Sequence, residues 1–547
     1  MSAAVSLRPA RHRAHARRFA GLPALFRLAL RRDRVLIVAG ALAVTALVAA
    51  SAVALAGLYP DVASRRAFAA SVDATPAFLA LTGPVFDGST VGGLTAWRSV
   101  ATAVVILGLL STVIVVRHTR QDEETGRQDL VLSSAVDRGS PLAVAALAAA
   151  VLNGSAAVLI AAVMIARGQA VTGSVLLGSA IGGVGLVFAG SAAVVAQLVV
   201  AARTATGLGC ALVGLGFVVR AVGDSSPGLS WVSWWSPIGW AQQVQAFAAD
   251  RWWMIGILLL TAVLAFAVAR ALDARRDVGA GVVAPSTGRS TAAAGLRGPA
   301  SLATRLQRGS LLGWTATFVV LGGVYGAATS GVDELISGTP ALADTIRRLG
   351  GAAQITVAFL TATVTILAIV AAAFGVSTVL RLRGEETAGR AEMLLATATS
   401  RSRVMAPALG LAVIGAGVLL TVGSTVAALV AGAVAGSGTT ASDVLRPVVR
   451  TAAAEIPAAI VVVALAAVLL GWLPRATGAA WGVLAAVGLL GLIGPSLGWP
   501  TAVLDVSPFH ALGSEAALGG LAFWATTIIA VGLLTAGWWG WNRRDIG

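Results

Sequence analysis

The chain has 547 residues, of which 57% are hydrophobic and only 12% charged, and it carries a formal net charge of +15. A soluble protein of this length carries roughly 25% charged residues. Half that number cannot cover its surface with solvated groups, so lipid must be the solvent for much of it. Disorder, a coiled coil and a soluble multidomain enzyme are excluded, and the mean hydropathy of +0.87 agrees.

All 39 basic residues are Arg, and the chain contains no Lys. That removes the P-loop, the Schiff base and the Ser–Lys dyad together. The positive charge reads as the inside bias of a membrane protein rather than as a nucleic-acid surface. The single Cys210 lies in an apolar run, and His12, His15, His118 and His510 are scattered without HExxH spacing. Neither a disulfide framework nor a metal site is expected.

Taken in order, the runs long enough for the roughly 20 apolar residues of a membrane span are 35–57, 99–116, 141–166, 173–200, 208–222 and 252–272. After a polar gap come 311–329, 355–380, 404–433, 452–472, 479–497 and 518–541. Twelve spans, six on each side of 273–310, predict an all-α polytopic membrane protein. The fifth run is short and Gly-rich. Before the first span stand Arg8, Arg11, Arg13, Arg17 and Arg18, then an amphipathic stretch at 26–34. With the N-terminus inside, the cytoplasmic segments collect 29 Arg and the opposite side 10, so both termini are expected in the cytoplasm of a multi-pass plasma-membrane protein. On the outer side, Trp231, Trp234, Trp235, Trp240, Trp252 and Trp253 crowd one loop, as headgroup anchors do.

The two halves repeat each other. Glu123-Glu124-Thr125-Gly126-Arg127-Gln128-Asp129-Leu130 after the second span answers Glu385-Glu386-Thr387-Ala388-Gly389-Arg390-Ala391-Glu392-Met393 after the eighth. Aligned on EET and GR, the second copy holds one extra residue, Ala388. Both continue to an Arg, at 138 and 401. Ala205-Thr206-Gly207 answers Ala476-Thr477-Gly478, Ser236-Pro237 answers Ser507-Pro508, and the halves close on Arg275-Arg276-Asp277-Val278-Gly279 and Arg543-Arg544-Asp545-Ile546-Gly547. Six spans per half make this a parallel duplication, two six-helix repeats of one orientation. The expected division is a cytoplasmic segment 1–34, a first six-span half 35–272, a cytoplasmic linker 273–310 with a second amphipathic stretch at 302–309, a second half 311–541 and a tail 542–547. The duplicated loop suits a short surface helix with acids at its positive N-terminus, and a surface presented twice suggests a partner that is itself two-fold.

An ion-driven transporter keeps acids or His inside its spans, and here only Glu455 lies within one. Without a Walker Lys the chain is not expected to hydrolyse ATP itself. At this point the sequence resembles the ABC-2-type permeases, of type V exporter-like fold, and within them the double-length, tetronasin-like exporters of polyketide antibiotics, a group that includes mycobacterial multidrug-efflux permeases. The resemblance runs from about residue 20 to the C-terminus. It implies that Asp122, Glu123, Glu124, Gly126, Arg127 and Asp129, with Glu385, Glu386, Gly389, Arg390 and Glu392, form two coupling helices. Each would sit in a groove of a separate ATPase subunit, two copies of which would bind ATP and Mg. This chain would itself bind no cofactor and would be a transport subunit, not an enzyme. The extra Ala388 would make the two docking surfaces inequivalent. Hydrophobic or amphipathic small molecules are the implied cargo, since the spans lack charge. By resemblance the second and fifth spans of each half wall the path, with Phe217 and Phe359 as candidate contacts, set against ordinary packing. The alternatives are an exporter of endogenous lipid or cell-envelope compounds, a 6+6 proton-coupled drug antiporter, and a membrane-embedded enzyme using the Asp122-Glu123-Glu124 run.

Overall fold

The computed structural model describes residues 21–73, 76–225, 227–283, 290–329, 352–434, 441–492, 500–513 and 518–545. The five Arg of residues 8–18, Arg347 and Arg348 lie outside that set. The chain divides into two compact units, 1–288 and 289–547, and the described residues are helical without a strand.

In the first unit the principal helices are α1 (Leu22–Leu58), α2 (Val91–Val116), the short α3 (Arg127–Leu132), α4 (Ser140–Ala166), α5 (Val171–Leu198), α6 (Ala202–Asp224) and α7 (Trp252–Arg275). In the second they are α8 (Pro299–Ala327), α9 (Ala352–Thr387), the short α10 (Arg390–Leu395), α11 (Arg401–Val434), α12 (Ala441–Trp472), α13 (Ala479–Leu492) and α14 (Leu521–Arg543).

Several helices outrun their apolar cores. The amphipathic stretch at 26–34 is continuous with the first span, and α1 is one helix of 37 residues with Pro at its start, about 55 Å long against a hydrocarbon layer of roughly 30 Å. The stretch at 302–309 is likewise the first part of α8. At α2 the Thr90 side chain accepts from Gly93 N at 2.9 Å and caps the start. The far end of α2 passes through a π-turn, Arg117–Gln121, into Asp122–Glu124. Because the helices are longer than the apolar runs, Asp33 lies within α1 and Asp224 and Asp273 in the last turns of α6 and α7, and each has a basic partner: Arg117 and His118, Arg220, and Arg276 respectively.

Among the described residues, eleven helices are long and apolar enough to cross a membrane. They match eleven of the twelve expected runs. The remaining run, 479–497, falls on α13, whose 14 residues are too few for a full crossing by length; residues 493–499 lie outside the described set.

Each unit has its own apolar core, and one helix sits at its centre. In the first unit α5 packs on α2, α4 and α7; in the second α12 packs on α9, α11 and α14. Lipid provides no hydrophobic drive between spans, so close backbone approach over small residues must hold them. A Cβ at Gly178 of α5 would stand 2.2 Å from the Ala157 carbonyl oxygen of α4. The Trp-rich segment forms a 3-10 helix, Pro227–Trp235, in which Trp231, Trp234 and Trp235 are exposed. Trp252 and Trp253 are exposed at the start of α7, a disposition that suits headgroup anchors.

Candidate coupling site

The duplicated loop follows the second long helix of each unit. Asp122–Glu124 and Glu385–Thr387 are the last turn of α2's continuation and of α9. The chain then turns at Gly126 (φ 70°) or Gly389 (φ 70°), both left-handed, a conformation that Gly adopts without Cβ strain. The short helices α3 and α10 start on the next residue. The first acids therefore end one helix rather than begin another, and only Asp129 and Glu392 sit in the first turn of a short helix. Carboxylates at a helix C-terminus meet the negative end of the macrodipole, so they need cationic partners. They have them.

Glu123 is buried, with its side chain 2% exposed beside an Arg276 that is 4% exposed. Arg276 donates to both of its oxygens, Nη1 to Oε1 at 2.6 Å and Nη2 to Oε2 at 2.9 Å. The Gly279 amide adds a bond of 2.6 Å to Oε1, and Arg120 lies 3.1 Å from Oε2. Arg276 Nε donates to the Gln197 side chain of α5 at 2.7 Å, and Arg120 donates to the Ala196 carbonyl at 2.6 and 2.9 Å. In the second unit Glu386 is buried in the same way. Its Oε2 accepts from Arg544 at 2.7 Å and lies 2.9 Å from Arg383. The position answering Gly279 is Gly547, outside the described residues.

These pairs correct the register of the repeat. Arg120, Asp122, Glu123, Gly126, Arg127 and Asp129 correspond without a gap to Arg383, Glu385, Glu386, Gly389, Arg390 and Glu392. Asp122 pairs with Arg127 at 3.4 Å and Glu385 with Arg390 at 2.5 Å. The EET strings do not superpose: Glu124 corresponds to Thr387, and Ala388 is no insertion. The inequivalence expected from loop length is overturned, because the left-handed Gly and the buried Glu fix a common frame. A real difference lies at Glu124. Its Oε2 accepts from Ala202 N at 2.9 Å, so it caps the N-terminus of α6; Thr387 supplies no such carboxylate.

Three sequence signals that seemed separate meet here. Arg138 donates to the carbonyl of Arg276, and Arg401 donates to the carbonyl of Arg544 at 2.6 Å. The Arg-Arg-Asp closures thus belong to the same knot as the loop acids. The Ser-Pro repeat is equally regular: Ser236 Oγ donates to the Gly216 carbonyl of α6 at 2.7 Å and Ser507 Oγ to the Val487 carbonyl of α13 at 2.8 Å.

What remains exposed is one small face per unit: Arg127, Asp129 and Leu130 on α3, and Arg390, Glu392 and Met393 on α10. Leu130 is 75% and Met393 66% exposed, while Gln128 and Ala391 between them point inward.

The chain is 38% identical over 554 aligned positions to the multidrug efflux system permease protein Rv1217c of Mycobacterium tuberculosis, with 98% of each chain covered. The chain belongs to that permease family. Residues 296–542 match the family model described as the C-terminal domain of the multidrug efflux system permease Rv1217c, a range that contains α8 to α13, most of α14 and the loop from Glu385 to Glu392.

Within this permease the two candidate path residues sit apart from the loops. Phe217 is partly buried against the first core under the Arg220 guanidinium, 4.7 Å from its ring centre, and Phe359 packs partly buried against the second core. Sequence reasoning passed over Arg220 as an interior group: it is fully buried, facing Asp224 and donating to the Leu81 carbonyl at 2.9 Å. Glu455 is fully buried on α12, where Thr365 of α9 donates to one of its oxygens at 3.0 Å. No group of three or more potential metal ligands occurs among the described residues.

Proposed function

We propose that the chain is the membrane-spanning subunit of an ATP-driven exporter of the ABC-2 type, tetronasin-like in kind, that moves hydrophobic or amphipathic drugs out of the cell. It would work with two copies of a separate ATPase subunit, which carry ATP and Mg. The observation that carries this reading is the duplicated face of α3 and α10. A cation, an acid and an exposed apolar side chain are held in the same order on the same buried ion pair, twice in one chain. A dimeric motor needs two like surfaces on a single-chain permease, and a solvated loop would need neither the burial nor the repetition. The 38% identity with a multidrug efflux permease over the whole chain supports drug as cargo.

In this reading the protein has twelve membrane helices in two parallel sets of six, with α13 answering α6, and the equivalent Ser236 and Ser507 bonds support that pairing. Both termini lie in the cytoplasm, on the Arg-rich side of the plasma membrane. Asp122, Glu123, Glu124, Gly126, Arg127 and Asp129, with their second-unit counterparts, form the coupling loops. Phe217 and Phe359 face the cargo path. The second reading is a proton-coupled antiporter, which the buried Glu455 favours.

Co-purification of the tagged permease with the ATPase subunits of its host, followed by ATP hydrolysis and drug efflux in vesicles, separates the two. Hydrolysis stimulated by drug and abolished when the ATPase is stripped away is the expected result. Efflux driven by a proton gradient without any ATPase, and lost in Glu455→Gln, would overturn the proposal.

A further inference from the structure

In each unit one arginine closes the docking face into a ring. The chain leaves the second long helix at Glu123, turns through α3 and reaches α4 just past Arg138. Glu123 binds the Arg276 side chain and Arg138 binds the Arg276 carbonyl. The second unit repeats this with Glu386, Arg401 and Arg544. Both arginines stand one residue beyond the last long helix of their unit, α7 or α14, in extended backbone (ψ 155° and 151°). Without this arginine's side chain, the far shoulder would still hold the last long helix through Arg138 on the Asp273 carbonyl at 3.1 Å or Arg401 on the Asn542 carbonyl at 3.2 Å, while the near shoulder would lose its ion pair. With it, both shoulders of the short helix are tied to that helix's exit. At Glu123 the guanidinium fork resists sliding because two parallel bonds must break together, whereas Glu386 takes one bond from Arg544 and its Oε1 has no partner among the described residues.

We infer that Arg276 and Arg544 are positioning residues that make each docking face move as one body with the last long helix of its own unit, delivering the partner's stroke to α7 and α14 as well as to α2 and α9. This rests on the reading of α3 and α10 as docking helices. The first tie is the stiffer one. Arg276 Nε is held by Gln197, and Val282 and Val283 amides bond the carbonyls of Gln197 and Leu198 at the end of α5. The Arg544 Nε is buried without a partner among the described residues.

The tie and its use are tested separately. In nanodiscs, without any ATPase, amide hydrogen exchange is followed in Arg276→Gln and Glu123→Gln. Arg276→Gln should speed exchange in 127–132, and Glu123→Gln should speed it in 279–283, each by roughly tenfold or more, with 390–395 unchanged. No reciprocal loosening overturns the tie, whatever the partner proves to be. In the assembled transporter, Arg276→Gln should leave the ATPase subunits co-purifying while the ATP hydrolysed per drug exported rises several-fold. Glu123→Arg combined with Arg276→Glu should restore much of the ratio. Loss of co-purification in Arg276→Gln would make Arg276 a docking group, and an unchanged ratio would deny it a role in coupling. Should Arg276→Gln fail to reach the membrane, Arg276→Lys, which keeps the charge and loses the fork, is scored by the same two criteria. If the wild-type chain binds no ATPase, the proposed function fails while the exchange result still stands or falls by itself.

Discussion

Removing the Glu123 carboxylate should destabilise the first unit far more than removing its counterpart destabilises the second. In Glu123→Ala, Arg276 and Arg120 remain, 4% and 1% exposed, and the Gly279 amide loses its acceptor. Stripping one partner from a buried pair costs about 3–5 kcal/mol, because the surviving charge stays in a low dielectric. Glu386→Ala also leaves two arginines, but Arg544 is 14% and Arg383 26% exposed, so water can take up part of the lost interaction. The cost there should be about 1–3 kcal/mol. At roughly 2–4 °C per kcal/mol for units of this size, the first variant should melt about 6–20 °C below the parent and the second by clearly less. Tryptophan fluorescence of the purified chain in nanodiscs, followed on heating, reads both. Glu123→Ala with Arg276→Ala supplies the control: deleting both partners should cost less than the sum of the single deletions. Equal melting shifts for the two glutamates, or a strictly additive pair, would refute the assignment of Glu123 as a buried anchor.

On the docking faces, Leu130→Asp and Met393→Asp alter exposed side chains and should leave the melting temperature within about 0.5 kcal/mol equivalent, while ATPase co-purification falls. Glu124→Ala should cost about 0.5–2 kcal/mol through the lost cap on α6, whereas Thr387→Ala should cost less; urea titration of the two variants decides. Ser507→Ala removes the bond to the Val487 carbonyl and should cost about 1 kcal/mol, while Ser236→Ala also removes the cap on the Ile238 amide and should cost about 1–2 kcal/mol; no cost at either position would argue against pairing α13 with α6. In a Cys210→Ala background, cysteines at Ser134 and Ala170, both exposed, should label from opposite sides of sealed vesicles, and labelling from one side would overturn the topology.

Much of the architecture was legible in composition, because a bilayer demands about 20 apolar residues per crossing, and eleven runs met that demand both as text and as helices. Span ends were less legible. Hydropathy stops at the first charges, whereas α1 continues through the exposed Arg27 and Arg31 and through Arg32 and Asp33, which pair with Asp122 and with Arg117 and His118. That is why Asp33, Asp224 and Asp273 lie outside the apolar runs of the sequence and yet are helical residues with basic partners. The candidate site was legible as a repeated string and illegible as geometry. The letters Glu-Glu-Thr drew the alignment one residue off, since nothing in a string says which acid is buried. The signal that could have corrected it was the left-handed turn: Gly126 and Gly389 stand three residues after the anchor in both copies, and only that frame matches Arg120 to Arg383 and Asp122 to Glu385.

The corrected frame changes what the duplication means. An inserted residue would have tilted one docking helix relative to the other, making one loop dominant by shape. With equal lengths and equal turns, shape is shared and the differences are chemical. The anchor Glu, its flanking arginines and the exposed cation–acid–apolar face occur in both units. Around them the partners diverge. His118 meets Asp33 of α1 where Arg381, at the equivalent position, donates to the Leu306 carbonyl of α8 at 3.1 Å. Glu124 caps α6 where Thr387 supplies no carboxylate. The first loop is therefore bound more tightly to its own unit, through α1, α5 and α6 as well as α7, and the second more loosely. A partner pressing equally on two like faces would meet two different stiffnesses, so under the proposed function near-identical docking helices would still answer a motor unequally in the two units.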